Sequence, residues 1–198
     1  VSQNSFSDEE TRRARRKAAL LFLIAILPLI AATVMYYTGW GMPGSTTNRG
    51  EFVEGNEQVL DQGIRDPDGN PFRSHFLQEN EDAKWWILVT ASDCGDACVE
   101  WLDRTGSVHQ LLHRDWNRVR RGFISRDGSV PEGADDRRLV TLSAEEANPL
   151  AAYTADGAGA TVFIVDPMGN LVLRYDQRHS GDDVLEDLEH LLEVSPLG

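Results

Sequence analysis

The chain is poor in cysteine and in positive charge. Its 198 residues include two cysteines, and 32 acidic residues outnumber 19 basic ones for a formal net charge of −13. That balance argues against nucleic acid as a partner, because a phosphate backbone is met by a basic stripe. No Ser-His-Asp order, no phosphate-cradling glycine loop and no paired-carboxylate motif stands out, so the corresponding catalytic classes lose their usual signatures. No internal repeat occurs. The length suits one domain with appendages.

What is present begins with an asymmetry. Arg12, Arg13, Arg15, Arg16 and Lys17 form a basic cluster, and residues 18–37 after it are free of charge. About 20 apolar residues span roughly 30 Å as a helix, enough to cross a bilayer. Tyr36, Tyr37 and Trp40 sit at the far end, where an interfacial aromatic belt belongs. Pro28 is tolerated in such a helix. A cleaved signal peptide and a buried core helix are the competing readings. A signal h-region is shorter, and no clear small-residue cleavage site follows. The expectation is an uncleaved anchor at 18–38 behind a cytoplasmic basic tail at 1–17. The positive flank stays in the cytoplasm. The rest then faces outward, into the periplasm if the membrane is a bacterial inner membrane. Residues 39–56, rich in Gly, Ser, Thr and Asn, read as a tether, and 57–198 as a folded domain.

Cys94 and Cys98 lie where the apolar run 85–90 meets a helical pattern. A strand, a sharp turn and a helix start are expected there, with both thiols at the turn. Positive partial charge at a helix N-terminus favours thiolate, which attacks disulfides and binds soft metals. Asp93, Asp96 and Glu100 oppose that effect and favour a bound cation instead. Four-residue spacing on a helix sets Cα atoms about 6 Å apart, within disulfide range. Outside the cytoplasm such a pair tends to oxidise. A bridge closing so short a turn stabilises little compared with one closing a long loop, which favours a functional pair over a structural one.

Along the domain, residues 66–71 are dense turn chemistry, and 59–64 and 72–76 suit the arms of a short hairpin. Residues 85–90 read as a central strand, and a helix from 96 or 98 to 113 follows, with Ser92 or Asp93 as its cap. Residues 119–124 are the next strand, giving a β-α-β unit with parallel strands. A polar loop at 127–136 and a helix at 143–153 come next. Strands 161–165 and 171–175 flank a turn at 166–170, and residues 182–194 form an amphipathic last helix. This order, with a dithiol at the strand-to-helix turn, is the thioredoxin-like pattern. The fold class is α/β: a sandwich with a mixed central sheet flanked by helices.

Within that class the Cys-x-x-x-Cys spacing resembles Sco/SenC proteins. So do the single N-terminal anchor, Asp66-Pro67-Asp68-Gly69-Asn70-Pro71-Phe72, and Val162-Phe163-Ile164-Val165-Asp166-Pro167-Met168-Gly169-Asn170. Lys84-Trp85-Trp86, Arg118-Val119-Arg120-Arg121 and Asp187-Leu188-Glu189-His190-Leu191-Leu192 further resemble small membrane-anchored proteins encoded beside cytochrome c oxidase genes in proteobacteria. The resemblance covers about residues 48–198. It implies a role in oxidase assembly at the binuclear copper (CuA) centre, with an oxidase subunit or other assembly factors as partners. It also implies copper as a candidate metal. Sco proteins bind copper with two cysteines and a histidine just before the strand that opens the last hairpin. Here residues 155–161 contain no histidine, and no proline of the thioredoxin kind.

A third ligand must therefore come from elsewhere. His109 and His113 are too far along the helix, roughly 16 Å past Cys98 for the first, and read as a solvated face, as does His190. His179 follows the last strand, whose end returns to the sheet edge that carries Cys94, two strand spacings or about 10 Å away. The candidate metal set is Cys94, Cys98 and His179, and the candidate redox pair is Cys94 and Cys98. Trp85, Trp86 and Trp101 read mainly as core and secondarily as a docking rim. Three functions stand: an assembly factor that passes copper or reduces oxidase cysteines, a general periplasmic thiol-disulfide oxidoreductase, and a docking module with an inert disulfide.

Overall fold

The structure, a computed structural model, describes residues 8–38, 48–53, 55, 57–60, 62–126, 128–134, 137–145, 149–153 and 159–197. It divides into two units, residues 1–46 and 47–198. Residues 1–7, Trp40 and most of the 39–56 stretch lie outside the described residues.

The first unit is one helix, α1 (Asp8–Thr38), with Pro28 inside it. Its segment Arg15–Thr38 is long and apolar enough to cross a membrane. The Thr33 and Thr38 hydroxyls donate to the carbonyls of Leu29 and Val34, one turn back. This is how polar side chains are satisfied where no water reaches.

The second unit is a six-stranded mixed sheet. Its strands are β1 (Glu51–Phe52), β2 (Trp85–Thr90), β3 (Val119–Ser125), β4 (Leu139–Ser143), β5 (Thr161–Val165) and β6 (Leu171–Tyr175), in the order β1-β6-β5-β2-β3-β4. β2 runs parallel to β3 and antiparallel to β5. The helices α2 (Asp96–Leu111) and α3 (Gly181–Val194) complete the unit.

β2 is buried at every position, which explains its unbroken apolar sequence. Trp85, Ile87 and Val89 face one way, into a core shared with Cys98, Trp101 and Leu102 of α2 and Val184, Leu188 and Leu192 of α3. Trp86 and Leu88 face the other way, against Val59, Ile64, Phe72 and Phe76. Both helices thus cover one face. Loops and a 3-10 turn at Phe72–His75 cover the other. Gly122 in β3 makes this packing feasible: a Cβ there would lie 2.6 Å from Leu88 Cδ2.

Two turns share one design. Asp66 accepts backbone N–H bonds from Asp68 (3.0 Å) and Asn70 (2.8 Å), and Asp166 accepts them from Met168 (2.8 Å) and Asn170 (2.9 Å). In each the asparagine amide also donates to the aspartate's second oxygen. The third residue after each aspartate is a glycine with φ of +85° and +88°. These side-chain bonds replace backbone partners that a tight turn leaves unmet.

A buried carboxylate ties the start of the unit to its last helix. Asp187 accepts from the backbone N–H of Arg49 (2.9 Å) and Gly50 (2.8 Å) and from the Tyr175 hydroxyl (2.8 Å). Burial, and then the Asp187 charge, push the Tyr175 phenol far above its ordinary range. α3 itself opens with a reciprocal cap between Ser180 and Asp183.

Three local expectations are corrected. Residues 72–76 are not a hairpin arm: Phe72–His75 is 3-10, and only single bridges such as Arg65 to Pro71 form. Pro71 cannot donate to a ladder, which stops the pairing. Residues 143–153 are not one helix. Ser143 ends β4, and Ala151–Tyr153 is a single 3-10 turn, with 146–148 outside the described residues. The stretch 139–143 pairs with β3, and that ladder overrides its weak local pattern. The cap of α2 is also different. Gly95 is the N-cap and no side chain bonds there, because the chain turns at Asp93 and the helix starts beyond reach of Ser92.

Candidate functional site

Cys94 and Cys98 form a disulfide with Cα atoms 5.1 Å apart. The local chain explains the closeness. Gly95 donates its N–H to Asp93 O and accepts from the N–H of Cys98 and Val99, so the backbone bends and enters α2 at once. Cys94 precedes the helix, and Cys98 is its third residue. Both therefore sit at the positive end of the helix. Their burial differs. Cys98 has no exposed surface, whereas Cys94 is half-buried and packs on the edge of the core. Asp93, Asp96 and Glu100 are exposed around them.

Two residues border the pair that sequence reasoning did not single out. A Cβ on Gly159 would lie 2.8 Å from Gln177 Nε2 and 3.8 Å from the Cβ of Ala97, which stands between the cysteines. Gly159 and Gln177 thus line the approach to the first turn of α2. The signal was present only as an absence, the missing histidine and proline before residue 161. Residues 154–158 lie outside the described residues.

The turn carrying His179 does come back to α2, at a higher level. Arg104 Nη1 donates to His179 O (3.1 Å), and Gly181 packs beside Arg104 and Val108. Arg104 is six residues past Cys98, about 9 Å along the axis. The His179 ring stacks edge-on to Tyr175 at 5.5 Å, and its Nδ1 lies 3.1 Å from both the backbone N and Oδ1 of Asp176. Arg178, followed by His179, holds the Asp176 carboxyl at about 2, despite the opposing effect of partial burial. Among the described residues, no three of His, Cys, Asp and Glu come together as a metal site. In the disulfide state neither sulfur is a thiolate.

The other sequence candidates fall as follows. Trp85, Trp86 and Trp101 are all buried, so they form core and no docking rim. His109 is buried, not solvated. Its Nε2 lies 2.9 Å from Val119 O, and since a carbonyl only accepts, that nitrogen carries the proton. Burial, aided by the charges of Arg121 and Arg138, holds its pKa below the ordinary histidine value. His113 and His190 are exposed.

A mixed sheet with a Cys-x-x-x-Cys pair where its central strand enters a helix defines a thioredoxin-like dithiol protein. A family model described as "Transmembrane-like, thioredoxin-like, C-terminal domain" matches residues 85–195, and one described as "Transmembrane-like, N-terminal domain" matches 8–39. The first spans more than half of the chain, and the chain belongs to this transmembrane-like, thioredoxin-like family. No curated protein matches it in sequence. Among solved structures it is similar to apo Sco1 of Thermus thermophilus, with 23% identity, coverage of 75% of this chain and 99% of that one, and a TM-score of 0.50. Yeast Sco1 matches with 19% identity, coverage of 67% and 93%, and a TM-score of 0.49. Copper-bound ScoI of Arabidopsis thaliana matches with 16% identity, coverage of 67% and 96%, and a TM-score of 0.47. The resemblance to Sco/SenC proteins thus holds at the level of the fold.

Proposed function

We propose that this chain is a membrane-anchored, periplasm-facing dithiol protein that reduces cysteines of a cytochrome c oxidase subunit before copper is loaded at the CuA site. The 1–17 tail then lies in the cytoplasm, 18–38 spans the inner membrane, and the tether is shorter than 39–56, because Arg49, Gly50 and β1 (Glu51–Phe52) already belong to the folded unit. The observation that carries the redox reading is the unequal burial of the pair: Cys94 is half-buried and Cys98 has no exposed surface.

In the reduced chain the Cys94 thiolate attacks one sulfur of the client disulfide, and the client's other sulfur leaves as a thiolate. The Cys98 thiolate then attacks Cys94 Sγ, closes the Cys94–Cys98 bond and releases the second client thiolate. Two electrons and two protons pass to the client, and a dithiol protein of the thioredoxin class must reduce the pair again. Positive potential at the start of α2 stabilises both thiolates. The client class follows from the Sco/SenC resemblance of residues 48–198.

The test is a Cys98→Ser variant of the full chain in its membrane. It lacks the resolving thiol and accumulates a mixed disulfide through Cys94, with the oxidase subunit as the trapped client. Recovery of many unrelated clients instead points to a general thiol-disulfide oxidoreductase. No mixed disulfide, together with normal oxidase maturation in Cys94→Ser/Cys98→Ser, leaves a docking module.

One observation favours copper as a cargo of the same pair. His179 Nδ1 lies 3.1 Å from both the backbone N and the carboxylate of Asp176; in the tautomer where Nδ1 donates to the carboxylate, as carboxylates orient metal-ligating histidines, Nε2 is left for a metal. The ligand set Cys94, Cys98 and His179 has to assemble on reduction, since thiolates are required. Cu(I) titration of the reduced chain checks this. Binding that is unchanged in His179→Ala removes the histidine from the set.

A further inference from the structure

The opposite end of the sheet carries the reverse charge. Of the chain's 32 acidic and 19 basic residues, three and five precede residue 47, which leaves 29 acidic and 14 basic in the second unit. Some of its cations are paired with a carboxylate and others are not. Arg49, Arg73, Arg104, Arg118, Arg174 and Arg178 each have one within 3.2 Å. Lys84, Arg120 and Arg138 make no ion pair among the described residues. All three line one cavity of about 330 Å³, with His109 and Trp116.

The cavity lies where β2, β3 and β4 begin. Lys84 immediately precedes β2, Arg120 is the second residue of β3, and Arg138 immediately precedes β4. The Arg120 guanidinium stands 5.9 Å from the centre of the Trp86 ring, and that of Arg138 lies 4.2 Å over Trp116. Trp116 is 44% exposed, although it is a large aromatic side chain. A second cavity of about 250 Å³ shares His109 and Arg138 with it.

We propose that this cavity binds a phosphate group, carried either by an anionic phospholipid headgroup or by a free phosphate. Three cations from the starts of three strands line this cavity, and among the described residues no carboxylate pairs with them, so a bound anion gains from their combined field. A tetrahedral phosphate presents oxygens in several directions, so guanidinium and ammonium groups from separate strands engage it together; a carboxylate offers two oxygens in one plane. Arg138 has φ of 55°, a left-handed conformation rare outside glycine, and such positions collect at binding sites.

The test uses the full chain in phosphatidylcholine nanodiscs, titrated with sodium phosphate at constant ionic strength while thermal unfolding is followed. Ligand at 100 times its Kd raises Tm by about 5–10 °C in a unit of this size. A rise with phosphate identifies the free ion. A rise only in discs that also contain phosphatidylglycerol identifies the headgroup. In either case Lys84→Gln, Arg120→Gln and Arg138→Gly each lose part of the shift, and Arg126→Gln, outside the cavity, retains all of it. Glycine suits the backbone at 138, so that variant removes charge without strain. The proposal is overturned if neither phosphate nor phosphatidylglycerol raises Tm, if acetate or chloride does so equally, or if the three variants respond as the wild type does.

Discussion

The two ends of β2 face different tasks with the same backbone. Where β2 ends, a disulfide closes the first turn of α2, and exposed carboxylates at Asp93, Asp96 and Glu100 surround it. Where β2 begins, Lys84, Arg120 and Arg138 gather beside Trp116 without a carboxylate among the described residues. The first end has a disulfide. The second has fixed charge and a fixed aromatic wall. One sheet thus separates a disulfide end from a cationic end, and its fully buried strand keeps them apart. At the end of β6, on the same side as the disulfide, the buried Asp187 carboxylate ties Gly50 and Tyr175 to α3.

Removing that network has the largest expected effect. Asp187→Ala leaves the Gly50 N–H and the Tyr175 hydroxyl buried without an acceptor, at about 1–3 kcal/mol each and about 2–6 kcal/mol together. Urea unfolding measures it. Reduction of Cys94–Cys98 costs less, about 2 kcal/mol from closing so short a loop, which lowers Tm by about 4–8 °C. Should reduction cost more than Asp187→Ala, the bond is structural and the contrast between the ends fails.

The smallest effect belongs to the cationic end and depends on pH. The folded pKa of His109 is depressed below about 6.5, its unfolded value. Its stabilising contribution is complete above pH 6.5. As pH falls, the unfolded chain takes up the proton first, and stability declines until the folded pKa is passed. The expected outcome is a loss of stability as pH falls below 6.5, and His109→Gln flattens that window. The carboxyls of Asp66, Asp176 and Asp183 are all depressed. Their contributions fall away only in the carboxylate range, so acid titration separates the two sets. A profile already flat from pH 6.5 to 5.5 in the wild type shows that His109 does not stay neutral.

Much of the fold was legible because its central elements carry strong local signals. The apolar run at 85–90, the short β-prone segments at 119–124 and 171–175 and the amphipathic stripe of 182–194 each specify an element within a residue or two. The short edge strand Leu139–Ser143 was not legible. Its weak pattern competes with the helix-like Ser143-Ala144-Glu145, and only the ladder to β3 decides. At the site, the disulfide-forming spacing of Cys94 and Cys98 could be read directly. The burial of His109 could not, since helical spacing does not say which face α3 and the sheet leave open. Gly159 and Gln177 were missed for a related reason. They are 62 or more residues from Ala97 in sequence and meet it only through sheet order.

By itself the sequence determined the apolar N-terminal helix, the β-α-β frame and the position of a dithiol at its turn. Periodicity and spacing are local, and local sterics and burial enforce them. The tertiary structure alone decided how deeply each cysteine is buried and where the His179 turn lands. It also decided that Lys84, Arg120 and Arg138 share a cavity. Those outcomes depend on strand order, which joins residues that no spacing along the chain relates.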